Sequence, residues 1–198
     1  MLHELEKTLL PYLGHKRDIG VFVSGGLDSA VLLALCAHLK KQYALPAILQ
    51  TFTVPQGLDA QWSLKVIDWV ETKYQLKLDR TLLGNLKLPH DQRVLDALRT
   101  ARDFCDHLLL GDTTNPKELA PGPYRERSQS PRYLQPFFDL TKDKVVKLGN
   151  ELGIQELMHI SNSCNLDSNC GHCWACQERA WAFHVVAMAG IEPATRGV

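Results

Sequence analysis

No stretch of the chain holds the about 18 consecutive apolar residues that a membrane-spanning helix needs. An excess of either charge is missing too. Lys plus Arg and Asp plus Glu each number 22, giving a formal net charge of zero. A chain without a global field is not built to live on phosphate contacts alone, which speaks against nucleic acid as its main partner. No internal repeat is found. The opening residues, Met1-Leu2-His3-Glu4-Leu5-Glu6-Lys7, lack the basic-then-apolar order of a secretion signal and point to a cytoplasmic protein. Disulfides are not expected in that compartment, so the six cysteines suggest metal ligands where they cluster.

What is present suits an ordinary globular chain. Its 198 residues, 45% hydrophobic and 22% charged, are enough for a real core. Leu2, Leu5, Leu9, Leu10 and Leu13 predict a helix over 1–15. A β-rich run over 18–23 stops at Ser24-Gly25-Gly26, as a buried parallel strand would. Residues 27–41 read as a helix with Leu32, Leu35, Cys36 and Leu39 on one stripe. The alternation continues with strands over 47–52, 76–82 and 107–110 and helices over 61–74 and 91–104; in the first of these helices Trp62, Val66, Trp69 and Val70 are expected inward. Strands alternating with helices imply a parallel sheet covered on both faces. Residues 111–136 break the rhythm with five prolines and with Arg125, Arg127 and Arg132. Helices follow over 141–152, stopped by Gly153, and over 174–188; the tail from Ile191 is expected to fray.

Two short segments carry chemistry. Ser24-Gly25-Gly26-Leu27-Asp28-Ser29 lies where a buried strand hands over to a helix, the place where open α/β sheets bind ligands. Paired glycines let backbone approach an anion, and the first helical turn points its N–H groups and dipole at it. Ser24 and Ser29 add hydroxyls. Asp28 repels phosphate unless a cation such as Mg²⁺ lies between, or unless it caps the helix. The string is neither a Walker A loop nor the dinucleotide fingerprint. The second segment holds Cys164, Cys170, Cys173 and Cys176, the spacing of a tetrahedral zinc site, with an iron–sulfur cluster or four free thiols as alternatives. His172 could replace one of the four. Cys36 and Cys105 are expected on apolar helix faces as core residues.

The loop at 24–29 resembles the pyrophosphate-binding Ser-Gly-Gly-x-Asp-Ser loop of the PP-loop, or N-type ATP pyrophosphatase, family. That family includes GMP synthetase, asparagine synthetase, tRNA thiolases and 7-cyano-7-deazaguanine synthase. The cysteine segment, Gln177-Glu178-Arg179 after it and Ala182-Phe183 resemble the zinc-binding end of the last of these, QueC. So do Ser163-Cys164, Pro136-Phe137-Phe138-Asp139-Leu140-Thr141-Lys142, Lys147-Leu148-Gly149 and Glu151-Leu152-Gly153. The resemblance implies a Rossmann-like, HUP-type α/β sandwich (adenine nucleotide alpha hydrolase-like) over residues 1–155, with a zinc-binding lobe and terminal helix over 156–198 packed on it. It implies ATP held by Ser24, Gly25, Gly26, Leu27, Asp28, Ser29 and Lys142, with Mg²⁺, and a structural Zn²⁺ on the four cysteines. Arg179 would brace the zinc lobe near the nucleotide. Asp112, standing where the family has a second active-site loop, would touch substrate or Mg²⁺, with turn capping as the alternative. Lys142 alone would otherwise read as a solvated residue of a first helical turn.

The resemblance fails in the substrate-facing loops. The family's Tyr-Gly-Gln is replaced by Thr51-Phe52-Thr53-Val54-Pro55-Gln56, its Pro-Gly-Arg-Asn segment is missing, and the loop after Gly111 has become Asp112-Thr113-Thr114-Asn115-Pro116. A divergent relative is therefore expected, one that adenylates the carboxylate of 7-carboxy-7-deazaguanine, releases pyrophosphate and passes the acyl group to ammonia or an amine. The product would be an amide or a nitrile. Relatives in antiphage operons make a protein acceptor another outcome. A tRNA sulfur-transfer enzyme and a non-catalytic nucleotide-sensing zinc module are the competing classes. A homodimer is implied by the resemblance alone.

Overall fold

Short β-rich runs separated by apolar helices build a five-stranded parallel sheet in this computed structural model, which describes residues 1–54, 59–119, 122–123, 127, 131–164 and 169–190. In chain order the elements are α1 (Leu2–Leu13), β1 (Asp18–Phe22), α2 (Leu27–Gln42), β2 (Ile48–Thr53), α3 (Asp59–Tyr74), β3 (Asp79–Leu82), α4 (His90–Phe104), β4 (His107–Leu109), β5 (Tyr133–Leu134), α5 (Lys142–Glu151), α6 (Gln155–Ile160) and α7 (Trp174–Met188). The strand order is β3-β2-β1-β4-β5. It reverses between β1 and β4, and a crevice opens at the carboxyl end of the sheet at such a reversal. The expected tail from Ile191 and Arg125 lie outside the described residues.

Alternation along the strands sorts the core. Ile19, Val21, Leu49 and Leu109 join the large core with α1, α2, α3, α5, α6 and α7. Phe52 and Leu108 point the other way and pack with Ala101 and Cys105 at the end of α4. Helices therefore cover both faces, as the alternation predicts. Gly20 explains how α4 comes so close: a Cβ there would stand 2.6 Å from the Phe52 ring and 2.9 Å from Cys105 Sγ. Cys105 is the residue just past α4 rather than on its face, and burial pushes its thiol up to about 11.

Three elements differ from the periodicity. Helix α2 is buried on all sides, from Leu27 through Leu39, because α1, α3, α5 and α6 pack around it as well as the sheet. A single apolar stripe understates such a central helix. Its Cys36 is fully enclosed, which raises the thiol to about 12. In α3 the buried side chains are Ser63, Val66, Ile67, Val70 and Tyr74, and Trp69 packs partly buried against the same core, whereas Trp62 is half-buried under the Lys65 ammonium at 4.3 Å. The edge strand β3 begins three residues later than expected. The Pro/Arg stretch also contains the two-residue strand β5, paired to β4 through Leu108↔Tyr133 and Leu109↔Leu134. So short a strand gives no alternation to read.

The carboxyl-terminal part returns to the sheet's end. Gly153, at φ +65°, ends the α5 segment, and α6 follows directly. α7 then packs along α5 and sets the cysteine segment beside the loop after β1. None of the helices in the described residues is long and apolar enough to cross a membrane.

Candidate active site and metal centre

A cleft of about 440 Å³ opens at the reversal point, lined by Ser24, Gly26, Asp28, Ser29, Asp112 and Lys142 among others. Its phosphate-loop wall is tightly built. Ser24 and Ser29 hydroxyls lie 3.1 Å apart, Ser29 Oγ accepts from the Ser24 N–H, and Ser29 donates to the Gly26 carbonyl. Gly25 sits at φ +82°, a conformation that disfavours side chains, and a Cβ there would meet Ser63 N and Trp62 Cβ, each at 2.8 Å. On the other wall Gly111 lets the end of β4 rest on the first turn of α2; a Cβ there would lie 2.8 Å from Ser29 N. The glycines are what allow three pieces of backbone to meet.

Lys142 opens α5 and is only 3% exposed. Its Nζ lies 3.1 Å from Asp28 Oδ2 and 2.8 Å from Glu178 Oε2. Burial by itself would lower the lysine's pKa, but the two carboxylates outweigh it and hold the group above its ordinary value. Glu178 has no exposed surface at all. An acid and a base this deeply buried are tolerable only as partners. Arg179, next to it, donates to Ser161 Oγ at 3.0 Å and to the Met158 carbonyl, with its guanidinium over the Phe183 ring. Burial lowers its pKa, opposed by the charges of Asp28 and Cys176. It ties α7 to the end of α6 and lies within the electrostatic reach of Asp28.

The metal-type site adjoins this cluster. The sulfurs of Cys164, Cys170, Cys173 and Cys176 all lie within 4.8 Å of one another, with Cys164 and Cys176 buried. The N–H of Cys170 points at Cys164 Sγ (3.4 Å) and that of Cys173 at Cys170 Sγ (3.3 Å). Four converging sulfurs with backbone N–H groups turned toward them are the donor set a thiophilic ion requires. His172 is exposed and its Nδ1 lies against the Cys170 carbonyl, so it stands apart from the four.

The segment between α6 and Cys164 links the two centres. Ser163 Oγ accepts from the Leu27 N–H at 3.2 Å, and the Asn162 N–H donates to the Gly25 carbonyl at 2.8 Å. Asp112 is exposed and accepts from Gln135 Nε2 at 2.8 Å. Arg127 pairs with Asp139 and covers the Phe138 ring, and Arg132 is exposed just ahead of β5. All the residues expected to hold nucleotide thus line or flank one cleft, and the four cysteines expected to hold metal converge beside it. Glu178, Asn162 and the role of Ser163 as acceptor for α2 were not anticipated. A signal existed for Glu178, the sole acid of α7, placed two residues after the last clustered cysteine. Nothing local marks Asn162.

Comparison with known proteins divides the chain in the same way. Residues 4–112 match the family model of asparagine synthase, and residues 119–187 match that of queuosine biosynthesis protein QueC. The 7-cyano-7-deazaguanine synthase of Methanocaldococcus jannaschii is 40% identical over 70 residues, a stretch covering 31% of this chain and 28% of that protein. The match thus spans well under two thirds of the relative. Among solved structures, the U34-tRNA thiolase of Methanococcus maripaludis with its 4Fe–4S cluster aligns at a TM-score of 0.52 and 16% identity, over 96% of this chain and 72% of that one. The NH3-dependent NAD synthetase of Campylobacter jejuni aligns at 0.51 and 13%, over 99% and 95%. These last two are likenesses of fold.

Proposed function

Because the chain belongs to the PP-loop ATP pyrophosphatase family as a divergent QueC-like member, we propose that it is an AMP-forming ligase that activates a carboxylate, that of a 7-deazaguanine. The observation that carries this reading is the meeting of the 24–29 loop, Lys142 and the cysteine segment on one cleft. A substrate carboxylate oxygen attacks the α-phosphorus of ATP, the α–β bridging P–O bond breaks, and pyrophosphate leaves. Ammonia or an amine then attacks the acyl carbon, loses a proton, and AMP departs.

The chain's residues act by position and charge. The loop backbone and the serine hydroxyls seat the phosphates, and Lys142 turns from Asp28 to the departing pyrophosphate while Glu178 keeps hold of it. Asp28 and Asp112 are the carboxylates available to Mg²⁺, which supplies charge neutralisation on the phosphates when bound. The four converging cysteines would hold a structural Zn²⁺ and would take no chemical step. Arg127 and Arg132, outside the cleft, are the residues that would meet a bulky or protein acceptor.

The test is mass spectrometry of protein, Mg-ATP, 7-carboxy-7-deazaguanine and an ammonium salt. AMP with the amide base, or with the nitrile where a second ATP activates the amide oxygen for its loss, is the expected result. AMP without a free base product would move the acceptor to a macromolecule, and no AMP would overturn the reading. Asp28→Asn should abolish AMP formation with the fold retained by circular dichroism; undiminished turnover would remove Asp28 from the chemistry. Metal analysis accompanies the assay, because a brown, iron-containing preparation would favour the sulfur-transfer class instead.

A further inference from the structure

Asn162 is 6% exposed, lines the same cleft as Gly26, Asp28 and Lys142, and holds the phosphate loop through its backbone. Its side chain is oriented without ambiguity. Oδ1 accepts the N–H of Cys164 at 3.0 Å, and a backbone N–H can only donate, so the oxygen faces Cys164 and the amide nitrogen faces away. That nitrogen is fully enclosed and has no hydrogen-bond partner among the described residues. A buried donor left unsatisfied costs about 1–3 kcal/mol, so such a group calls for an acceptor that the described residues do not supply. The backbone N–H of the same residue is bonded to Gly25, and its carbonyl lies 3.7 Å from where a Gly26 Cβ would stand. The orphan donor is therefore carried by the residue that touches the phosphate loop.

We infer that Asn162 is a further nucleotide-binding residue, its side-chain amide donating to a phosphate oxygen seated on the 24–29 loop. The inference rests on the ATP reading above and adds a residue to it. The cleft around it mixes serine hydroxyls, glycine backbone and the Lys142 ammonium with the carboxylates of Asp28, Asp112 and Glu178, two of which Lys142 pairs, so an anionic acceptor is met by donors on the loop side and by paired acids behind Lys142. The geometry also links Asn162 to the cysteine cluster, since its amide oxygen is held by the Cys164 N–H while the residue lines the cleft.

The experiment compares Asn162→Ala and Asn162→Asp with the unaltered metal-loaded protein, by calorimetric titration with Mg-ATP and with adenosine, alongside metal content and thermal midpoint. Aspartate keeps an oxygen for Cys164 but has no N–H to give; alanine is the uncharged control for the repulsion aspartate adds. Both variants should bind Mg-ATP roughly 10- to 100-fold more weakly, the range of one hydrogen bond to a charged acceptor. Adenosine affinity should change by less than about twofold, and the aspartate variant should keep its metal. In the unaltered protein, the side-chain amide resonance missing from both variants should shift with Mg-ATP and not with adenosine.

Alanine binding as well as the unaltered protein would overturn the inference, leaving only repulsion by aspartate. Equal losses for adenosine would overturn the phosphate assignment. Metal loss in alanine, with full affinity in aspartate, would make Asn162 purely structural and overturn it too. Failure of the unaltered protein to bind Mg-ATP would sink the ATP reading first and this inference with it.

Discussion

At the scale of single residues, the site is governed by charges that cannot reach water. Lys142 sits between Asp28 and Glu178 with almost no exposed surface, so its charge depends on both partners. Glu178→Gln should destabilise the fold by about 3–5 kcal/mol, the cost of removing one partner of a buried ion pair. Because Lys142 is raised above its ordinary value, its contribution is fully present below the unfolded lysine pKa of about 10.4 and is lost as pH rises through the folded pKa. The stability gap between Glu178→Gln and the unaltered protein should therefore hold across neutral pH and narrow above about pH 10. Denaturant melts at pH 7, 9 and 11 check this; a gap that widens with pH would show that Lys142 is not the group involved.

At the scale of elements, the phosphate loop is shaped by what packs behind it. Gly25 carries two demands at once, a left-handed φ and the backbone and Cβ of α3 2.8 Å from its absent side chain. Gly25→Ala meets both and should cost about 1–3 kcal/mol in strain, read as a lowered thermal midpoint, together with at least tenfold weaker Mg-ATP binding. An alanine variant that binds nucleotide normally would show that the loop is not held in this form when it works. The pairing of loop and helix was legible in the sequence, because a β-rich run ending in Ser-Gly-Gly before an apolar helical stripe has few other solutions. β5 was not, since two residues have no period. Nor was the place of Trp62 on α3, half-buried under Lys65 while Val66 and Val70 face the core as expected.

At the scale of the whole molecule, the cysteine segment and the phosphate loop behave as one assembly. Cys164 is followed back through Ser163, bonded to Leu27, and Asn162, bonded to Gly25. Stripping metal with a chelator should therefore lower the thermal midpoint and weaken Mg-ATP binding by tenfold or more, while far-UV circular dichroism retains the signal of the sheet and its helices. The sheet survives because its large core, around α2, includes none of the four cysteines. Restored affinity on adding Zn²⁺ back completes the test; affinity that never changed would mean the two centres are independent.

What the sequence determined by itself was everything encoded locally: alternation of strand and helix, the glycine turn, and four cysteines spaced to meet. These rest on period, turn chemistry and ligand geometry, which neighbouring residues specify among themselves. Only the tertiary structure decided that Glu178 faces Lys142, 36 positions earlier in the chain, that Asn162 and Ser163 hold the loop at 24–29, and that Asp112 leans on Gln135. Those choices come from packing α7 along α5 and from the strand order of the sheet, and a buried charge or amide takes whatever partner that packing supplies.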